Sequence, residues 1–254
     1  MNFKLNPIAL NDFTVDVSMI ILKTSEEISV MAEGGRRLAI VFQGLEKAVG
    51  PGVKTVFLEE LSRKLIREQN AVPAFLGYRA PGSREAYPYG ICVSIDDVVV
   101  HGRPSDYLIK DGDLVKLDLG LIYGGFYLDS AVTVPVGDVG GEARKLIAVT
   151  KEVLRKGIEQ ARPGKTVGDI GHAIQKHVEK KGFSIIRSLT GHGIGRNLHE
   201  EPQVLNFGES GVGEELRAGM VLAIEPMVAA GGGATRELKD GSFVTADGSL
   251  AAHF

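Results

Sequence analysis

Two aspartates sit in this sequence where they would need a cation. Leu114-Val115-Lys116-Leu117-Asp118-Leu119-Gly120 and Phe126-Tyr127-Leu128-Asp129-Ser130-Ala131-Val132 are β-rich arms on either side of Tyr123-Gly124-Gly125. That is the pattern of a hairpin. A turn centred on Tyr123-Gly124 sets Asp118 directly opposite Asp129, with Cβ atoms about 4.5–5.5 Å apart. Like charges so placed repel, so either one carboxyl stays protonated or a cation lies between them. Alternation puts Asp118 on one face with Lys116 and Gly120, while Val115, Leu117 and Leu119 face the helices. Asp129 shares its face with Tyr127 and Ala131, while Phe126, Leu128 and Val132 go to the core.

Two solvated carboxylates on an open sheet face would explain the hairpin alone, so the downstream sequence decides. Thr190-Gly191-His192-Gly193-Ile194-Gly195-Arg196-Asn197-Leu198-His199-Glu200-Glu201-Pro202 holds two histidines in a Gly-rich segment. A glycine on each side of His192 lets other groups approach its imidazole. In Val221-Leu222-Ala223-Ile224-Glu225-Pro226-Met227 a carboxylate ends an apolar strand just before a proline that stops pairing. A buried carboxylate there needs a partner, and a metal is one. Two Asp, a Glu and one His suit Mn(II), Fe(II), Co(II) or Zn(II), and are too carboxylate-rich for a usual structural zinc. Carboxylates able to bridge point to two ions, about 3.5–4 Å apart, activating one water.

The elements that must position these groups read as two related halves. Helical stretches run from Ser25 to Val49 and from Glu142 to Gln160, and each is followed by a Pro-Gly turn and a second helix. Thr55 and Thr166 fit the N-caps of those second helices, and Thr166 with Asp169 approximates a capping box. Helix–helix–hairpin, used twice, argues for an antiparallel α+β architecture with the site where the halves meet. His172 and His177 read as surface residues of the second such helix, and His253 has no obvious partner.

Composition sets the bounds. The chain has 254 residues, is 44% apolar and 24% charged, and carries a formal net charge of −3. Without a long basic run, nothing suggests a nucleic-acid or membrane partner. Cys92 is the one cysteine, which excludes an intrachain disulfide framework and fits a reducing cytosol, with Cys92 a small buried residue. No stretch reaches the roughly 18 apolar residues of a membrane span, and the N-terminus lacks a signal-peptide pattern. Residues 1–18 show no sustained periodicity and read as an extension, with Met19 an alternative start and 19–254 one catalytic domain.

Taken together, the motifs resemble those of type I methionine aminopeptidases of bacterial kind. The resemblance covers about Met19 to Phe254. It rests on Val100-His101-Gly102-Arg103-Pro104, Lys110-Asp111-Gly112-Asp113, the Asp118–Asp129 hairpin, Gly191-His192-Gly193-Ile194-Gly195, His199-Glu200-Glu201-Pro202 and Ile224-Glu225-Pro226-Met227, in that order. It implies the pita-bread fold and removal of the initiator methionine from nascent proteins. It also implies Asp118, Asp129, His192 and Glu225 as ligands of two divalent ions, with Asp129 bridging. In that scheme a bridging hydroxide attacks the first peptide carbonyl, His199 donates to the oxyanion, His101 holds the substrate backbone, and Glu225 also shuttles the proton to the leaving amine. Phe75, Tyr78, Tyr87 and Leu198 match the methionine pocket.

The departures from the family pattern are local. Asp240-Gly241-Ser242 lacks the Trp often found there, and Arg79 to Ala86 looks longer than the usual connection. In the family a run like Gly248-Ser249-Leu250-Ala251-Ala252-His253-Phe254 is followed at once by a glutamate that bridges both metals and opens the last central strand, whereas the sequence stops at Phe254. The expectation is therefore a catalytic domain without that strand, with impaired activity. The alternatives are a relative acting on Xaa-Pro peptides and a catalytically inactive binding protein of the same fold. Cytoplasmic location, a monomeric state and proximity to the ribosome complete the expectations, the last from the family role only.

Overall fold

The computed structural model describes residues 20–79 and 85–254. The expected extension 1–18, Met19 and most of the stretch expected to lengthen the Tyr78–Tyr87 connection lie outside the described residues. Two helices come first, α1 (Ser25–Ala48) and α2 (Thr55–Glu68). Short strands β1 (Val72–Pro73), β2 (Cys92–Ile95) and β3 (Val98–Val100) lead to a long hairpin of β4 (Leu114–Tyr123) and β5 (Phe126–Pro135). A second helix pair follows, α3 (Gly141–Gln160) and α4 (Val167–Lys180). Then come β6 (Ser184–Ile185), β7 (Gly191–Gly193), β8 (Glu200–Val204), β9 (Leu222–Ala223) and β10 (Met227–Ala229). The chain closes with β11 (Thr235–Glu237), β12 (Phe243–Thr245) and β13 (Ala251–His253).

The strand pairings among the described residues are antiparallel. In the first sheet β4 is central, flanked by β1, β2 and β5. Three smaller sheets have the orders β13-β10-β6, β11-β12-β3 and β8-β7-β9. The antiparallel α+β expectation therefore holds, as do both long helices almost to the residue.

Each helix pair covers its own layer of strands. Leu38, Val41, Leu45, Leu58 and Ile66 pack on Val115, Leu117, Leu119 and Leu121 of β4. Leu146, Val153, Ile170, Ile174 and Val178 pack on Val228 of β10 and Ala252 of β13. Full burial of each such side chain is worth about 1.5–3 kcal/mol. Cys92 is buried in the first of these layers, as expected.

The two helix starts differ. Thr166 caps α4 with the expected capping box, its hydroxyl accepting from Asp169 N–H while Asp169 accepts from Thr166 N–H. Thr55 is instead the first residue of α2, whose N-cap is Lys54 without a side-chain cap. Its hydroxyl donates to Ser105 carbonyl at 3.0 Å and accepts from Ser105 N–H at 2.9 Å. It ties the helix to the loop after His101.

The hairpin register differs from expectation. Gly120 pairs with Asp129 and Asp118 with Ala131, so the turn is Gly124-Gly125 rather than Tyr123-Gly124. Both glycines have positive φ, 58° and 80°. A two-residue turn that matches strand twist needs positive φ at its first central position, which tyrosine resists.

Candidate metal centre

The first half of the chain contributes the two aspartates. Because of the register, Asp118 and Asp129 are diagonal neighbours on one face, a relationship with Cα spacing of about 7–8 Å. They remain electrostatically joined. Burial, then Asp129 and Glu225, push the Asp118 carboxyl well above the usual carboxylate range. Burial and the Glu225 charge push Asp129 up to about 7. Oδ1 of Asp129 is buried without a hydrogen-bond partner. On the same face of β4 as Asp118, and paired with Asp129, Gly120 has no room for a Cβ: Leu128 O would lie 2.6 Å away and Phe75 Cε1 3.3 Å. The missing side chain lets the Phe75 ring settle over Gly120.

The second half contributes His192 and Glu225. His192 is central in its sheet, with β8 on one side and Ala223 of β9 paired to it on the other. A Cβ on Gly191 would meet Ala223 O at 2.3 Å, and one on Gly193 would meet Glu201 O at 2.2 Å. The flanking glycines thus admit neighbouring strand carbonyls. Glu225 lies between the end of β9 and the start of β10, and Asn206 Nδ2 donates to its carbonyl at 2.7 Å.

Hydrogen bonding fixes how these two groups meet. His192 Nδ1 is 2.7 Å from Gly193 O and so carries the proton. The Nε2 lone pair then faces Glu225 Oε1 at 3.2 Å. Two acceptors at that distance call for a proton or a metal ion between them. Burial opposes a charge on His192, but Glu225 outweighs it and raises the imidazole. Burial likewise works to raise Glu225, and the imidazoles of His192 and His253 outweigh it and hold the carboxyl at about 2.

Among the described residues, no three such side chains already close on one point as a finished metal cage. What the site offers is three mutually repelling carboxylates, an aimed imidazole, and buried Asp129 Oδ1 and Glu225 Oε1 without hydrogen-bond partners. That donor set fits a hard or borderline divalent cation.

His199 and His101 lie beside the same groups. The His199 ring stands 4.3 Å from that of His192, edge to face, and its Nδ1 is 2.6 Å from Tyr78 Oη. Burial and the adjoining His192 push His199 down to about 4. His101 has φ 59°, packs edge-on against Phe243 at 5.8 Å, and is lowered by desolvation although part of it stays exposed.

The remaining positions named from sequence also gather here. Phe75, Tyr78, Tyr87 and Leu198 belong to one apolar cluster with the hairpin. The Tyr87 hydroxyl is committed to Ile91 O at 3.1 Å and Gly102 O at 3.3 Å, so Tyr87 presents its ring rather than a free hydroxyl. In the late loop, Ser242 is buried against Asp240 while Phe243 stands beside His101.

Three histidines depart from expectation. His177 is half-buried with Nε2 3.1 Å from Glu152 on α3, and His172 Nδ1 meets Gly208 O at 3.3 Å. His253 is only 1% exposed and faces Glu225, a relationship its sequence neighbours do not signal. Sequence reading also passed over Lys23, whose buried ion pair with Glu200 secures the residue next to His199.

Asp118 and Asp129 come from one helix-paired half, and His192 and Glu225 from the other. The chain belongs to metallopeptidase family M24, whose model matches residues 29–246. It is similar to methionine aminopeptidase 1 of Bacillus subtilis, 42% identical over 237 residues and 93% of each chain. Methionine aminopeptidase of Aquifex aeolicus is 47% identical over 238 residues, 92% of each. The crystal structure of methionine aminopeptidase from Thermotoga maritima superposes with a TM-score of 0.88 at 43% identity, covering 93% of both chains. A prolidase from Pyrococcus furiosus shares the fold alone, at TM-score 0.71 and 22% identity, with 61% of its chain covered.

Proposed function

We propose that this protein is a methionine aminopeptidase that removes the initiator methionine from nascent polypeptides. The observation that carries this reading is that buried Asp118, Asp129, His192 and Glu225, drawn from both halves, act on one another's charge, in a fold whose apolar cluster includes Phe75 and Leu198. It occurs in a chain similar to methionine aminopeptidases over more than nine-tenths of its length. Those four side chains would hold two divalent ions of the Mn, Fe, Co or Zn kind, which supply Lewis acidity and an activated water.

The protein's own groups do the rest. With the Tyr78 hydroxyl donating to Nδ1, the His199 proton sits on Nε2, where it can donate to the carbonyl oxygen as charge develops. Its depressed pKa keeps the ring neutral near pH 7, in that one tautomer. His101 holds the backbone of the second substrate residue. Glu225 carries the proton to the departing amine. Phe75, Tyr78, Tyr87 and Leu198 take the methionine side chain.

Among the described residues no helix is long and apolar enough to cross a membrane. A cytoplasmic monomer working near the ribosome completes the reading. The test is hydrolysis of Met-Ala-Ser and Ala-Pro peptides with added Mn(II) or Co(II). Release of methionine alone is expected. Cleavage of Ala-Pro in preference, or of neither peptide with metal bound, would overturn it.

A further inference from the structure

His253 is a buried polar side chain whose two ring nitrogens both lack a hydrogen-bond partner. Leaving such a group unpaired costs about 1–3 kcal/mol. Its backbone is fixed from two directions. On one side it pairs with Met227, two residues beyond Glu225. On the other, Thr133 Oγ1 accepts from His253 N–H at 2.9 Å and donates to His253 O at 2.8 Å. Thr133 lies on β5, four residues beyond Asp129. The strand carrying His253 is therefore locked to β10, which follows Glu225, and to β5, which carries Asp129.

From that position Nε2 of His253 stands 3.5 Å from Glu225 Oε2, while His192 Nε2 stands 3.2 Å from Oε1. The two oxygens of Glu225 thus face different imidazoles. A carboxylate is otherwise free to rotate, and which oxygen it offers to a cation is undefined. Side chains that bond the far oxygen of a metal-binding carboxylate remove that freedom, and their loss typically costs 10–100-fold in metal affinity.

We propose that His253 is a positioning residue for Glu225: closing the present 3.5 Å gap, its Nε2–H donates to Oε2 and so presents Oε1, beside His192, for metal binding. This rests on the metal-centre reading above and adds to it a residue from the last described strand.

The test compares H253F, H253M and H253Q in the full chain. Mn(II) affinity is measured by titration calorimetry, and kcat and KM on Met-Ala-Ser. H253F removes the donor and keeps an aromatic ring; H253M fills the space flexibly should H253F not fold; H253Q restores a donor. Metal affinity is expected to fall about 10–100-fold in H253F or H253M, with kcat falling more than KM rises. H253Q should recover to within a few fold of wild type. Wild-type metal affinity in the apolar variants would overturn the proposal. So would equal damage in H253Q, which would mark a packing role. Failure of wild type to hydrolyse Met-Ala-Ser despite tight metal binding would instead overturn the functional reading and leave this one standing.

Discussion

Tyr78 Oη lies 2.6 Å from His199 Nδ1, and the two rings are 5.3 Å apart. The contact joins the segment carrying Phe75 to the segment carrying Leu198 and His199. Y78F keeps the ring and its packing but releases Nδ1, so the ring proton is no longer confined to Nε2. A neutral hydrogen bond is worth about 1 kcal/mol, so kcat/KM on Met-Ala-Ser should fall about 5-fold. H199A removes the donor itself and should cost about 100–1000-fold in kcat. The double variant should be no worse than H199A alone. Additive losses would show that Tyr78 acts independently of His199.

A second link secures the same segment from the start of the described chain. Lys23 and Glu200 form an ion pair with side chains only 3% and 4% exposed. Lys23 Nζ also donates to Ile21 O, and Glu200 Oε1 accepts from Asn197 N–H at 3.0 Å. Removing one partner of a buried pair strands the other, at about 3–5 kcal/mol. K23M should therefore lower unfolding free energy by that amount in urea titrations. K23M/E200L, with both charges gone, should recover most of it. A double variant as unstable as the single would sink the account.

Much of this arrangement was legible because chemistry and periodicity agree locally. The Thr166–Asp169 capping box and the alternation along Asp118 and Asp129 are set by residues within one element. What escaped is what depends on packing between distant segments. Asp118 and Asp129 share a face as alternation requires, yet their offset follows from which residues accept positive φ in the turn. Thr55 looks like a cap, but a loop 50 residues away claims its hydroxyl. His253 looks idle because its partners, Thr133 and Glu225, are brought to it only by strand pairing.

The turn that sets the aspartate offset is open to direct test. A Cβ on Gly124 would lie 2.4 Å from Val30 Cγ1 on α1, in a residue whose φ is 58°. Positive φ alone costs a non-glycine residue about 1–2 kcal/mol, and the contact with α1 adds to it. Gly125, with φ 80°, has only the end of the Arg196 side chain near, at 3.4 Å. G124A should therefore destabilise by more than 2 kcal/mol, roughly, and G125A by about 1–2. Denaturant unfolding distinguishes them, and equal losses would place the cost in backbone strain alone.

Asp169 gives a pH-dependent readout away from the metal centre. Its carboxylate is held at about 2, chiefly by the Ser210 hydroxyl and then by Thr166 N–H. Ser210 donates to Oδ1, and Thr166 N–H donates to Oδ2 at 2.9 Å. An unfolded aspartate titrates near about 3.9. The folded state therefore binds fewer protons than the unfolded state between those values, and stability falls as pH drops through them. The contribution is complete above about pH 5. D169N cannot titrate and gives up the charged acceptor at every pH. The difference in Tm between wild type and D169N should thus be largest and flat from pH 7 to about 5 and shrink steadily below about 4. S210A should narrow that difference by raising the Asp169 pKa toward its unfolded value. A Tm difference that stays constant down to pH 3 would show that the Ser210 and Thr166 contacts do not favour the charged form.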